Sequence, residues 1–320
     1  MNVNMLYDAI GEIKSEFIED AEFEPHIPRR PMLRITAAIV AVVMLALPVS
    51  AEMVNGYISN LLAPLYGSAK TELIDQIGVP IGATISLGDY NLTADAVIGD
   101  RYNIAIVYSL TRNDGGQLDE GINFANYSNS LQKGNGVGMY NFCMSDDKTT
   151  CYIVDVWTAA GSLFLDRMAE VTFTDLMIFD SITQENNLLQ AGEWSLKFTV
   201  RYEDASVTIP ASDTVIKDAR GKEYIIHQII VSPIGIHLDI TVPNPHLHGF
   251  DNTFQFADVS LAIVLCDGTV QNVDNINIES HGDMAAHILE ANLGALFDEP
   301  VWVDQIERVI VCDTSFDITK

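Results

Sequence analysis

Trp194-Ser195-Leu196-Lys197-Phe198-Thr199-Val200-Arg201-Tyr202 alternates large apolar and polar side chains without a break. A strand turns successive side chains to opposite faces, so a period of two over nine residues predicts a half-buried β-strand. Tyr102 to Thr111 repeats the pattern, with Ile104, Ile106, Tyr108 and Leu110 on one face. Shorter segments of the same kind lie at Thr84–Leu87, Leu92–Ile98, Cys151–Trp157, Glu170–Phe179 and Val207–Ile209. Turn formers such as Asn113-Asp114-Gly115-Gly116 separate them. Many short strands with turn signals between them predict a β-sandwich, here over residues 78–210.

A second β unit is expected over residues 211–320. Tyr224–Val231 and Ile234–Val242 are predicted strands, the latter with Ile234, Ile236, Leu238, Ile240 and Val242 inward and His237 and Asp239 outward. Val259–Cys266 and Thr269–Val273 flank Asp267-Gly268, a dipeptide that favours the primed turns matching strand twist. Val301–Cys312 supplies a last strand. Asp283–Leu296 has helical spacing and is expected to be a helix covering a sheet edge. No internal repeat is evident.

Upstream the pattern changes. Ile35 to Ala51, ITAAIVAVVMLALPVSA, carries no charge and follows Arg29, Arg30 and Arg34. Its length is at the low end of what crosses a bilayer as a helix, and the arginines before it predict a cytoplasmic N-terminus. The other reading is a cleaved leader, since Val49-Ser50-Ala51 has the small-x-small form of a cleavage site; the long acidic arm argues against it. Residues 52–77 then form a juxtamembrane stalk, broken by Pro64 and Gly67.

Within the arm, residues 1–34, Leu6, Ile10, Ile13 and Phe17 recur at helical spacing on one stripe. A single helix of this length is marginal in water, so the stripe needs a partner. Pro25, Pro28 and Pro31 end the helix.

The chain has 320 residues and a formal charge of −27. The arm holds four basic and seven acidic side chains, so nearly all the excess acid belongs to the remainder. Such a surface repels phosphate backbones, which argues against nucleic-acid binding.

Little in the sequence carries chemistry. All four cysteines, Cys143, Cys151, Cys266 and Cys312, follow the apolar run. Proximity suggests disulfides Cys143–Cys151 and Cys266–Cys312; buried free thiols are the other reading. Cys-x-x-Cys spacing for a metal is absent. His246, His248 and Asp251 form a weak candidate metal group in a loop. Asp114, Asp119 and Glu120 lack the spacing of a calcium loop and read as an acidic turn. There is no Gly-x-Ser-x-Gly elbow and no Walker loop, and Gly134-x-Gly136-x-Gly138 lies in a polar stretch. No catalytic residues and no cofactor are expected.

Three segments carry a family resemblance. Asp8-Ala9-Ile10-Gly11-Glu12-Ile13 continued by Phe17-Ile18-Glu19-Asp20-Ala21, then arginines and one span, resembles the start of many single-pass proteins of Gram-positive bacteria, the anti-sigma factor-like DUF4179 family. Asn91 to Asn103, NLTADAVIGDRYN, resembles that family's first strand pair. Ile230-Val231-Ser232-Pro233-Ile234-Gly235-Ile236 is similar to the strand opening its second exterior domain. The resemblance implies a mostly β fold, with two tandem immunoglobulin-like β-sandwich domains outside, preceded by a short amphipathic helix and one transmembrane helix. It further implies a non-enzymatic membrane regulator whose stripe of Leu6, Ile10, Ile13 and Phe17 holds an extracytoplasmic-function sigma factor, while the exterior senses or scaffolds. The arm departs from zinc-type anti-sigma factors, having one histidine, His26, and no cysteine. The competing expectation is a secreted or wall-associated β-sandwich binding protein with residues 1–51 removed.

Overall fold

The structure, a computed structural model, describes residues 57–318 apart from 68–70, 133–135, 160–165, 182, 244–258, 274–275 and 284–287. The arm with Leu6, Ile10, Ile13 and Phe17, the apolar run 35–51 and the group His246, His248 and Asp251 lie outside the described residues. Among the described residues no helix is long and apolar enough to cross a membrane. All of them belong to one compact unit, Ala41–Lys320.

The chain is mostly β, built from several antiparallel sheets. The first sheet holds β1 (Val79–Leu87), β2 (Tyr90–Gly99), β3 (Asn103–Arg112), β5 (Gly136–Met144) and β6 (Thr150–Ala159), in the order β1-β2-β3-β6-β5. A second sheet, β4-β7-β8, is formed by β4 (Ile122–Asn129), β7 (Arg167–Asp180) and β8 (Glu185–Val200). The two sheets enclose one core, to which the first contributes Leu92, Tyr108 and Ile153 and the second Phe124, Phe173, Trp194 and Phe198. Phe173 is its hub, with ring centroids 4.9 Å from Phe124 and 5.3 Å from Tyr108. The alternation seen in Trp194–Tyr202 is the alternation of this core, since Trp194, Leu196, Phe198 and Val200 are buried while Lys197 and Thr199 are exposed.

Residues 207–317 repeat the two-layer plan. The five-stranded sheet has the order β14-β15-β11-β10-β9, with β9 (Val207–Lys217), β10 (Glu223–Val231), β11 (Gly235–Pro243), β14 (Ile276–Asp283) and β15 (Ile288–Leu296). Facing it is β13-β12-β16-β17, made of β12 (Leu261–Leu265), β13 (Val270–Val273), β16 (Ile306–Val311) and β17 (Thr314–Asp317). Ile226, Leu238, Ile240 and Leu293 meet Leu261, Ile263, Val309 and Phe316 between the layers. Val207–Ile209, expected as a strand of the first unit, pairs instead with Ile229–Val231 in this second one.

A third apolar cluster lies on the other face of the first sheet. Three short helices, α1 (Tyr57–Leu61), α2 (Ala63–Tyr66) and α3 (Thr71–Ile77), bury Ile58, Leu62, Tyr66 and Ile74 against Ala96, Ile98, Ala105, Val107, Val154 and Val156. The described part of the stretch expected as a stalk, residues 57–67 and 71–77, therefore covers the sheet. This explains why β3 is buried on both faces from Asn103 to Tyr108. Gly78 lets α3 turn into β1 at close range, because a Cβ there would stand 2.5 Å from Ile58 Cγ2 and 2.8 Å from Leu62 Cδ1. Asp75 accepts from the Ser59 N–H at 2.7 Å and ties α3 to α1.

Two further expectations are corrected. Asp283–Leu296 is no helix: Ile288–Leu296 is an inner strand, paired with β11 from Gly235↔Leu296 to Pro243↔Ile288 and with β14 on its other side. Leucine, alanine and glutamate favour helix intrinsically, but ladders on both sides outweigh that preference. The suggested disulfides are not formed, and no two of the four cysteines are joined. Cys143 lies opposite Tyr152, the neighbour of Cys151, so the two thiols point to opposite faces of the β5–β6 pair. Cys266 follows β12 where Leu265 meets Ile306, whereas Cys312 follows Val311, which meets Leu261 at the far end of that ladder.

Candidate functional site

Two of the segments that carry the family resemblance meet in the structure. The first ends in Gly99-Asp100-Arg101-Tyr102-Asn103, the tight turn between β2 and β3, and the second contains Ser232-Pro233-Ile234-Gly235, the turn between β10 and β11. Aspartate readily folds such turns by accepting from backbone N–H groups a few residues on. Asp100 Oδ1 accepts from the Tyr102 and Asn103 N–H groups, both at 2.7 Å, and from Asn103 Nδ2 at 3.1 Å. Its Oδ2 accepts from Asn103 Nδ2 at 2.9 Å and from Ser232 Oγ at 2.5 Å. Ser232 Oγ in turn accepts from the N–H groups of Ile234 and Gly235 at 3.1 and 3.0 Å. Asp100 and Ser232 are 3% and 2% exposed. Burial raises the pKa of Asp100, and the hydrogen bonds from Ser232, Asn103 and Tyr102 oppose that rise.

Further groups surround the pair. Tyr202 donates to the Asp100 carbonyl at 2.9 Å, and its ring lies against Gly99, where a Cβ would stand 2.5 Å from Tyr202 Cζ. Thr158 Oγ1 donates to Asn103 Oδ1 at 2.8 Å. Tyr102 stacks on His237 of β11, with centroids 3.7 Å apart and planes 5° from parallel. His237 Nε2 lies 3.2 Å from Asn292 Oδ1, while Nδ1 has no partner among the described residues. Burial pushes the His237 pKa down to about 4, so the ring is neutral near pH 7.

A serine hydroxyl on a carboxylate is the arrangement of an activated nucleophile. Here it has no access, because both residues are buried and the hydroxyl oxygen is held by two backbone N–H groups. What the arrangement does is fasten one two-layer unit to the other through a carboxylate whose oxygens are saturated.

Two more carboxylates are buried in the first unit. Asp155, on β6, accepts from the Tyr127 hydroxyl, from Asn129 Nδ2 at 2.8 Å and from Gln132 Nε2 at 2.9 Å. Desolvation lifts its pKa to about 6 against those bonds. Asp95, at the β2 bulge, accepts from Ser109 Oγ at 3.0 Å, and its Oδ2 has no partner among the described residues; burial lifts it to about 7. Among the described residues no group of three or more His, Cys, Asp or Glu side chains could hold a metal ion.

The structure leaves the expected site residues apart. Cys143 and Cys266 are exposed, Cys151 is buried and Cys312 is half-buried, with no two joined. Asp114, at an exposed turn, is engaged by Arg112 at 2.9 Å, and Glu120 by Lys148 at 2.6 Å. Asp100, Asn103 and Ser232 were not singled out as site residues by the sequence reading, and His237, expected outward, is instead buried under the Tyr102 ring. Asp-x-x-Asn between two strands is a turn signal that could have drawn attention to Asp100, but nothing local connects it to Ser232.

No family model matches the chain, and no curated protein matches it. It is similar to a solved structure described as "The crystal structure of the conserved domain protein from Bacillus anthracis", at 13% identity over 77% of this chain and 79% of that one, with a TM-score of 0.49.

Proposed function

We propose that the chain is a non-enzymatic, single-pass membrane regulator. Its cytoplasmic helix, through Leu6, Ile10, Ile13 and Phe17, sequesters an extracytoplasmic-function sigma factor, and its exterior consists of two immunoglobulin-like β-sandwiches that sense or scaffold. The observation that supports this reading is the Asp100–Ser232 fastening, a buried bond that ties the two β units together. Such a tie is a route by which a signal received on one unit would reach the other. The acidic polar face of the arm complements a basic, DNA-binding surface on a sigma factor. The apolar stripe supplies a helix-in-groove contact.

The experiment is co-expression of the full chain with an extracytoplasmic-function sigma factor from the same cells, followed by membrane fractionation and N-terminal sequencing. Capture by the wild type, loss of capture in the Ile10→Asp/Ile13→Asp variant, and a Met1 or Asn2 start in the membrane fraction are expected. A mature protein starting at Glu52 in the medium would end this reading in favour of a secreted β-sandwich binding protein.

A further inference from the structure

On the outer face of the second unit's five-stranded sheet, the adjacent strands β9, β10 and β11 set a carboxylate, an imidazole and a hydroxyl in one hydrogen-bonded row. Asp213 Oδ1 lies 2.6 Å from His227 Nδ1, and His227 Nε2 lies 2.7 Å from Thr241 Oγ1. An irregularity of the ladder brings His227 there. Its neighbours Ile226 and Gln228 pair with the consecutive Ile240 and Asp239 of β11, so His227 is the extra residue of a bulge; on β9 their partners Thr214 and Pro210 leave Ala211, Ser212 and Asp213 opposite it. Ser212 and Asp213 both take left-handed backbone conformations, φ 50° and 57°, which residues other than glycine seldom adopt. Bulges re-aim side chains, and backbone strain gathers where a side chain is held in one place for use. The row is open to solvent. The side chains of His227 and Asp213 are 36% and 76% exposed, and Thr241, half-buried, sits between the core residues Ile240 and Val242 and so points away from the core.

An ionised carboxylate only accepts, so the ring proton sits on Nδ1, and in the neutral ring Nε2 accepts from the Thr241 hydroxyl. A hydroxyl bonded to a base that is itself oriented by a third group is an activated nucleophile. Unlike Ser232, this one faces solvent. We propose that Thr241 is an acyl-acceptor site that takes one small acyl group from an activated ester, with His227 as its base and Asp213 as the residue that positions the ring. Thr241 Oγ forms a bond to the acyl carbon while the ester's bond from that carbon to its leaving oxygen breaks. The hydroxyl proton passes to His227 Nε2 and from there to the leaving oxygen, and nothing is oxidised or reduced. A single transfer onto the chain itself is a modification and not turnover, so it goes beyond the regulator reading and does not rest on it.

The full chain is incubated with p-nitrophenyl acetate at pH 8, and acetylation of each threonine is followed over time by peptide mass spectrometry. Thr84 and Thr93, a surface pair whose hydroxyls bond to each other at 2.9 Å, are the internal controls. A positioned base speeds proton transfer by about 10²–10⁴-fold in a closed site, so on this open face Thr241 is expected to react at least about tenfold faster than either control. His227→Gln keeps a hydrogen-bonding group beside Thr241 but no base, and should bring Thr241 down to the control rate. Asp213→Asn suits a left-handed backbone as well as aspartate does, so the melting temperature should hold. Its amide donates to Nδ1 and favours the wrong tautomer, and Thr241 should slow by about threefold or more. Asp213→Glu, which keeps the carboxylate on an exposed side chain, should react faster than Asp213→Asn. Acetylation of Thr241 no faster than that of Thr84 and Thr93, a wild-type rate in His227→Gln, or a wild-type rate in Asp213→Asn would each overturn the proposal.

Discussion

Ser232 and Asp100, 132 positions apart in sequence, share a 2.5 Å hydrogen bond that neither residue's own β unit could provide. Ser232→Ala removes that bond and the acceptor for the Ile234 and Gly235 N–H groups. Stranding buried polar groups costs more than a typical net hydrogen bond, so the expected loss is about 2–4 kcal/mol. Urea denaturation should show a lower midpoint with an unchanged slope.

Asp95 gives stability a pH dependence whose sign is fixed. Its folded pKa, about 7, lies above the ordinary 3.8, so the unfolded chain releases its proton first and stability falls as pH rises from about 4 to 7. His237 works oppositely: lowered from 6.5 to about 4, it makes stability fall as pH drops through that window. Asp155, raised to about 6, adds to the Asp95 trend. Asp95→Asn should therefore gain about 2–4 kcal/mol over the wild type at pH 8 and much less at pH 4. Thermal denaturation at the two pH values checks this; an equal change at both would show that the carboxylate charge is not the cause.

Gly99 is held to its identity by Tyr202. A methyl group there would enter the Tyr202 ring, which is fixed by its own bond to the Asp100 carbonyl. Gly99→Ala should destabilise the chain by about 2–4 kcal/mol by overpacking. Tyr202→Phe, which removes only the hydroxyl, should lose about 1 kcal/mol. Chemical denaturation of the two variants side by side tests the ranking.

The thiols should separate by accessibility. Cys143 and Cys266 are expected to alkylate quickly in the native chain. Cys151 should react only on unfolding, since it is buried and desolvation raises its pKa to about 11. Unfolding without reductant should yield four labelled cysteines, and a missing pair would reveal a disulfide.

Strands that face one core announce themselves, as Trp194–Tyr202 and Ile234–Val242 do, because burial on a single face imposes a period of two. Asn103–Tyr108 is covered on both faces, and only the larger residues on its inner side made the period visible. β5 passed unnoticed because Gly136 and Gly138 interrupt any pattern; Gly138 is needed where a Cβ would meet the Trp157 ring at 2.3 Å. β15 was misjudged because Leu289, Leu293 and Leu296 satisfy a helical spacing while Ala291, Leu293 and Ala295 satisfy a strand, and only pairing with β11 decides between them. The junction lay beyond reach for a different reason. A bond between Asp100 and Ser232 depends on where two units are set, which no local spacing encodes.

The helices that cover the first sheet have a consequence for how the protein is made. Ile58, Leu62 and Ile74 leave the ribosome before every strand they are buried against, and Val154 and Val156 follow about 100 residues behind Ile58. At about 5–20 residues per second that is a delay of roughly 5–20 s, during which α1–α3 hold an apolar stripe with nothing to rest on. Ile234 arrives later still. The earliest part of the body to be synthesised is thus among the last to find its place, and through that interval the nascent chain must be shielded from a second copy presenting the same stripe.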